Sequence, residues 1–234
     1  MSTTPVETRP LRASTGLVVA IDGPSGSGKS STSRAVAARL GLRYLDTGAM
    51  FRGLTWWLLR EGVDVHDASA VADRAGEPEI LSGTDPLGPT VVVAGVDVSL
   101  AIRSDDVTSA VSPVSAVPAV RSRLLELQRA VIGAGGIVVE GRDIGSVVAP
   151  GAQVKVYLTA DPAARAERRA AEEGGSDVAA TRQSLLARDK IDSGRAVAPL
   201  VMADGATHID TTPYTLDEVV DQVVALVKAV GERA

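Results

Sequence analysis

The chain has 234 residues, enough for one large domain or a core carrying an inserted subdomain, and 45% of them are hydrophobic but only 3% aromatic. Its net charge of −5 offers no global field to nucleic acid or an anionic membrane, so any anion has to be held by a local basic cluster. With no cysteine and only His66 and His208, disulfides, thiolate chemistry and a histidine metal cage are excluded.

So few aromatics argue against a base-stacking platform for single strands and for a core of Val, Leu, Ile and Ala, as in layered α/β folds. No run approaches the roughly 18 apolar residues of a membrane span. The opening "MSTTPVETRPLRASTG" has no apolar h-region. The expectation is a soluble cytoplasmic protein without nucleic-acid or membrane partners, with a flexible tail over 1–16 and one folded unit over 17–234.

In chain order, "LVVAID" (17–22) is a short, almost continuous apolar run, the pattern of a parallel strand covered on both faces. Thr32, Val36 and Leu40, at i, i+4 and i+8 with Gly41 as terminator, mark the helix that follows. Between them "GPSGSGKS" fits the spacing G-x-x-x-x-G-K-[ST] in the strand–loop–helix context that this motif requires. Gly23, Pro24, Ser25, Gly26, Ser27, Gly28, Lys29, Ser30 and Ser31 are therefore assigned to a nucleotide triphosphate. The glycines let successive N–H groups curl round a phosphate at a helix N-terminus, Lys29 reaches the β and γ phosphates, and Ser30 ligates Mg²⁺ together with the nucleotide.

Trp56 and Trp57 fall within an apolar helical pattern and read as core. Residues 62–116 break the strand–helix rhythm: "GEPEILSGTDPLGP" and then "TVVVAGVDVSLAI" predict two short strands around Gly95, an inserted antiparallel subdomain. Leu124, Leu125, Val131 and Ile132 predict a helix, and "GIVVEG" (136–141) and "AQVKVYL" (152–158) further strands. Asp161 and Pro162 start a helix whose Arg165, Arg168 and Arg169 share a face; like charges so placed are relieved by an anion, and Arg165 and Arg169 are assigned to ATP phosphates on a lid over about 165–190. Within it "EEGGSDVAA" (172–180) has the composition of a hinge. Arg188, Asp192 and Arg195 lie at i, i+4 and i+7, one stripe of a helix ending near Gly194, a spacing that taken alone is more often an exposed salt-bridge ladder. "THID" (207–210) closes the set of strands, and the last helix runs from Leu216 to about Val230. Strands alternating with helices predict an α/β protein, the P-loop NTPase three-layer fold around a parallel sheet.

No N-K-x-D segment is present to read guanine, and a motor or transporter ATPase needs far more chain, so the small phosphotransferases remain. "YLDTGAMFR", "VSLAIRSDDV", "VSPVSAVPAVR", "EGRDIGSVVAP" and "RDKIDSGRAVAPL", in this order, resemble the bacterial cytidylate kinase family from about residue 17 to 225. The resemblance implies a monomer with a parallel-sheet core, a nucleoside monophosphate-binding insert and a lid, transferring the γ-phosphate of ATP to CMP or dCMP with Mg²⁺. It further implies that Arg52, Arg142 and Arg195 hold the acceptor phosphate, that Arg188 and Asp192 contact the pentose, and that Ser112, Arg121 and Asp143 read cytosine. Lys29, Arg142, Arg188 and Arg195 would then form the catalytic charge set. Thr47, in the CMP site, keeps the hydroxyl of the Ser found in some members, whereas Phe51 lacks the hydroxyl of the commoner Tyr.

A carboxylate facing the cytosine amino group would be left unpaired by uracil, so discrimination against UMP is expected. Three alternatives stay open: a monophosphate kinase with another base preference, a kinase of another small acceptor, and a nucleotide-responsive regulator without turnover. For Asp143 alone, a salt bridge to its neighbour Arg142 is the plain structural alternative.

Overall fold

The computed structural model describes residues 16–172, 175, 177–195 and 197–232. Residues 1–15 of the expected tail, and 173, 174 and 176 of the expected hinge, lie outside the described residues. The elements in chain order begin with β1 (Val18–Asp22), α1 (Lys29–Leu40), β2 (Arg43–Asp46), α2 (Thr47–Arg60) and α3 (Ala68–Arg74). There follow β3 (Ile80–Ser82), β4 (Val91–Val93), β5 (Val96–Asp97), α4 (Asp105–Ala116) and α5 (Pro118–Ile132). The chain then adds β6 (Ile137–Gly141), β7 (Val154–Thr159), α6 (Pro162–Glu172), α7 (Val178–Ser193), β8 (Thr207–Asp210) and α8 (Leu216–Gly231). Among the described residues no helix is long and apolar enough to cross a membrane.

Five strands, all parallel, make the central sheet in the order β2-β6-β1-β7-β8. Alternate side chains divide between two cores. Ala20, Leu45 and Val139 pack with Met50 and Leu54 of α2, Val114 of α4 and Leu124 of α5. Val19, Ile21, Tyr44 and Val138 pack on the other face with Val36 of α1 and Val220 and Val223 of α8. Burial on both faces is why the predicted strands read as continuous apolar runs, each enclosed Val, Leu or Ile contributing about 1.5–3 kcal/mol. Three-layer α/β architecture is thus present, and the carboxyl ends of β1 and β6, neighbours with Asp22 beside Gly141, open a crevice of the kind that binds ligands in such sheets.

β2 was not among the expected strands, because Arg43 and Asp46 leave only Tyr44 and Leu45 apolar. Arg43 acts as a cap, since its guanidinium donates to the carbonyls of Val131 (2.8 Å) and Ile132 (2.9 Å) at the end of α5 and of Gly135 (2.9 Å) just beyond it.

In the expected insert, β4 and β5 form a hairpin across Ala94 and Gly95, both with positive φ (48° and 78°). A third strand, β3, which the Gly- and Pro-rich sequence concealed, pairs Ile80 with Val93 and Ser82 with Val91. Val71, Ile80, Val91, Val93 and Ile102 belong to the same apolar cluster as Leu45 and Val139, so this stretch shares the core of the main sheet.

Candidate active site

The loop after β1 sits at the crevice. At Gly23 φ is 148°, and a Cβ there would stand 2.1 Å from the carbonyl oxygen of Leu158, so only glycine lets the chain leave the sheet here. Ser25, Gly26, Gly28, Lys29, Ser30 and Ser31 line a cleft, while Gly23, Pro24 and Ser27 lie behind its wall and shape the turn. Lys29, the first residue of α1, is buried, and its ammonium donates to the carbonyl of Pro24 at 2.6 Å. Burial, aided by the Arg142 guanidinium, drives its pKa well below the ordinary lysine value. The carboxylates of Glu140, Asp22 and Asp189 oppose this only in part, and a phosphate in the loop would add counter-charge.

Behind Ser30 stands Glu140, the single polar side chain near the end of the apolar β6. Its carboxylate accepts from the Ser30 hydroxyl at 3.0 Å and from Tyr44 Oη, and burial followed by the neighbouring Asp46 pushes its pKa up. Sequence reasoning missed this residue, although an acid closing an otherwise apolar strand was the available signal. Thr47 donates to the Glu140 carbonyl at 2.7 Å, which joins the start of α2 to the end of β6. Asp22, at the end of β1, accepts from the backbone N–H groups of Ile144 and Gly145, each at 2.8 Å, and fixes the π-helical turn that carries the chain away from Asp143.

Much of the remaining lining is cationic. Lys29 and seven arginines line the cleft against five carboxylates, so a protein acidic overall concentrates positive charge at this one place. Arg52 donates to the Ile102 carbonyl (3.1 Å) and Thr108 Oγ1 (2.9 Å), and burial with Arg188 and Arg169 nearby lowers its pKa to about 9. Arg142 bridges the Gly23 carbonyl (3.0 Å) and Asp192 (2.9 Å), and Asp192 also pairs with Arg195. Burial works against the Asp192 carboxylate, but Arg142 and Arg195 outweigh it and hold its pKa below the usual range. Arg188 is pushed down to about 10, by burial first and Arg142 second. Among the described residues the Nε atoms of Arg188 and Arg195 are buried without a hydrogen-bond partner. Cations crowded enough to depress one another's pKa values describe a site built for an anion.

At the inner end of the cleft, Asp143 pairs with Arg121 rather than with its neighbour Arg142, and both are nearly enclosed. Burial raises the Asp143 pKa despite the Arg121 guanidinium beside it. Ser112 lines the same end of the cleft, as do Phe51 and Ser115.

The stripe of Arg188, Asp192 and Arg195 divides where Gly194 suggests: α7 ends at Ser193 with Gly194 as its cap, and Arg195 turns back onto Asp192. The arginine face of α6 departs from expectation. Arg169 lines the cleft and pairs with Glu172 at 3.1 Å. Arg165, expected to face ATP phosphates, is buried and bonded instead to the Ser25 carbonyl (3.1 Å) and to Asp189 of α7. Arg168 holds the Thr211 hydroxyl and carbonyl at 2.9 and 2.8 Å. The anion expected to relieve α6 is, for these two, replaced by protein oxygens.

A family model described as Cytidylate kinase matches residues 19–229. A cytidylate kinase of Streptomyces avermitilis is 57% identical over 214 residues, spanning 91% of this chain and 93% of the relative. That of Streptomyces coelicolor is 58% identical over 214 residues with the same coverage, and that of Mycobacterium leprae 49% over 219 residues, spanning 92% of this chain and 96% of the relative. Among solved structures, an uncharacterized protein of Eubacterium ventriosum shares the fold at a TM-score of 0.51 with 11% identity, over 92% of this chain and 99% of that one. Since the family match runs unbroken from the strand before the phosphate loop to the last helix, and takes in both the Asp143–Arg121 pair and the arginines around Asp192, this chain belongs to the cytidylate kinase family.

Proposed function

We propose that the protein transfers the γ-phosphate of ATP to CMP and dCMP by direct in-line displacement, with the phosphate loop as donor site and the arginine wall as acceptor site. The observation that carries this reading is that Arg52, Arg142, Arg188 and Arg195 line the same cleft as Lys29 and Ser30. The acceptor phosphate of a nucleoside monophosphate is already an anionic nucleophile, so catalysis requires positioning and charge neutralisation more than a general base. Lys29 gives up the Pro24 carbonyl for the β and γ phosphates. Arg52, Arg142 and Arg195 grip the acceptor phosphate with planar guanidinium forks, and Arg188 and Asp192 take the pentose. Asp143 accepts from the cytosine amino group, with Arg121 and Ser112 on the remaining ring edge.

Among the described residues no cluster of three His, Cys, Asp or Glu side chains is suited to hold a metal alone. The Ser30 hydroxyl, backed by Glu140, instead suits a Mg²⁺ whose other ligands are nucleotide phosphates and water. When bound, Mg²⁺ neutralises charge on the β and γ phosphates.

The test is ADP release in the presence of ATP and Mg²⁺ with CMP, dCMP, UMP and AMP supplied separately. Fast turnover confined to CMP and dCMP is expected. Equal or faster turnover with UMP or AMP would discard the base assignment, and ATP binding without acceptor-dependent release would discard the kinase.

A further inference from the structure

Among the described residues three guanidinium groups lie over aromatic rings: Arg60 over Trp56 at 5.3 Å, Arg74 over Trp57 at 5.1 Å and Arg121 over Phe51 at 5.4 Å. The third is set apart by its place, because Phe51 and Arg121 both line the cleft and Arg121 is buried. We propose that Phe51 is the positioning residue for base discrimination, its ring clamping the plane of Arg121 and so fixing the Asp143 carboxylate that reads the base edge. The inference rests on the CMP kinase reading above and extends it to a residue that makes no hydrogen bond to the base.

Arg121 is held by three contacts in different directions. One Nη donates to Asp143, the other to the Ser115 carbonyl at 3.2 Å, and the guanidinium carbon lies over the Phe51 ring, 5.4 Å from its centroid. The two hydrogen bonds leave the guanidinium free to rock about the line that joins their acceptors, and the ring removes that freedom. A guanidinium over an aromatic face is attracted by the ring quadrupole, most strongly when the pair is shielded from water. An aliphatic side chain at position 51 keeps the apolar bulk but loses this attraction and the flat wall.

The consequence is selective between bases. Held as it is, Arg121 keeps its N–H groups on Asp143 and Ser115, so the carboxylate faces the cleft as an acceptor for an amino group. Released, Arg121 swings a donor toward the place where uracil carries a carbonyl, and the penalty that excludes UMP is relieved. Loss of the clamp therefore lowers selectivity as well as efficiency. A tyrosine at position 51 presents the same ring face, so the clamp accounts for an aromatic here without needing a hydroxyl.

The experiment measures kcat/KM for CMP and for UMP, at saturating ATP and Mg²⁺, with the wild-type protein and its Phe51→Leu, Phe51→Met and Phe51→Tyr variants. Phe51→Leu and Phe51→Met are expected to lower the CMP:UMP ratio about tenfold, the size of a shielded cation–π contact expressed as an affinity ratio, whereas Phe51→Tyr keeps the wild-type ratio. A wild-type ratio in both aliphatic variants overturns the proposal. So does an equal loss for both substrates, which assigns the ring to packing alone, whether by misfolding or by a displaced helix. Failure of the kinase reading itself would be visible separately, as a wild-type protein that does not prefer CMP.

Discussion

At the residue scale, the cleft is made of groups whose charge the fold makes costly. Lys29, Arg52 and Arg188 are depressed by burial among other cations, and Asp143 is raised by burial despite a guanidinium partner. On the function proposed above, a bound nucleotide would offset each of these costs, its phosphates facing the cations and its base amino group facing Asp143. Asp22 gives a measurable form of the same effect. Burial pushes its carboxyl up to about 6 from the ordinary 3.8, even though it accepts two backbone N–H groups. The folded protein therefore binds a proton here that the unfolded chain has released, and stability falls as pH rises from about 4 to 6. The full difference is about 3 kcal/mol, at 1.36 kcal/mol per pKa unit. Urea unfolding of the wild type and of Asp22→Asn across that range checks it: the wild type should lose ground to the variant as pH rises, and parallel pH curves would contradict the assignment.

Among the elements, α7 is the piece that joins the two halves of the cleft. Its Asp192 takes Arg142 and Arg195, and its Asp189, three residues earlier, takes Arg165, while Arg142 and Arg165 also donate to the Gly23 and Ser25 carbonyls of the phosphate loop. Two arginines from different parts of the chain thus tie one helix to the donor loop. At the other edge of the sheet, Arg43 of β2 ties three carbonyls at and just beyond the end of α5. Arg43→Ala should leave half-buried acceptors without this donor and cost about 1 kcal/mol, read as a lower urea midpoint with an unchanged slope; a midpoint equal to wild type would remove the capping role. The legible elements were those whose physics is local. The phosphate loop, the apolar runs of β1, β6 and β7, and the Asp161–Pro162 start of α6 carry their own signals. β2 was obscured because tertiary capping put an arginine where a strand pattern wants an apolar residue, and β3 because its pairing is with a strand eleven residues on. In the site, the loop and the arginines stood out by spacing, whereas Glu140, the inward turn of Arg165 and the Phe51–Arg121 contact depend on distances that spacing does not encode.

On the scale of the whole molecule, the cleft collects residues from Ser25 to Arg195, so it exists only when nearly the entire chain has folded. The order β2-β6-β1-β7-β8 sharpens this. β1, the most enclosed of the early elements, pairs with nothing near it in sequence: its neighbours are β6 and β7, more than a hundred residues later. At ~5–20 residues per second of synthesis, the strand that founds the sheet waits on the order of ten seconds for its first partner. During that interval Val18–Asp22 is an apolar segment with two open edges and no native contact to close them, the condition in which nascent chains meet chaperones or one another. Ribosome-stalled chains ending at residue 135 should leave the β1–α1–β2 segment open to protease, and chains ending beyond residue 195 should protect it. Protection in the shorter chain would mean that the segment folds without its partners. The same topology that gathers the phosphate loop and the arginines at one crevice thereby makes the protein a late and concerted folder, dependent on being completed before it is safe.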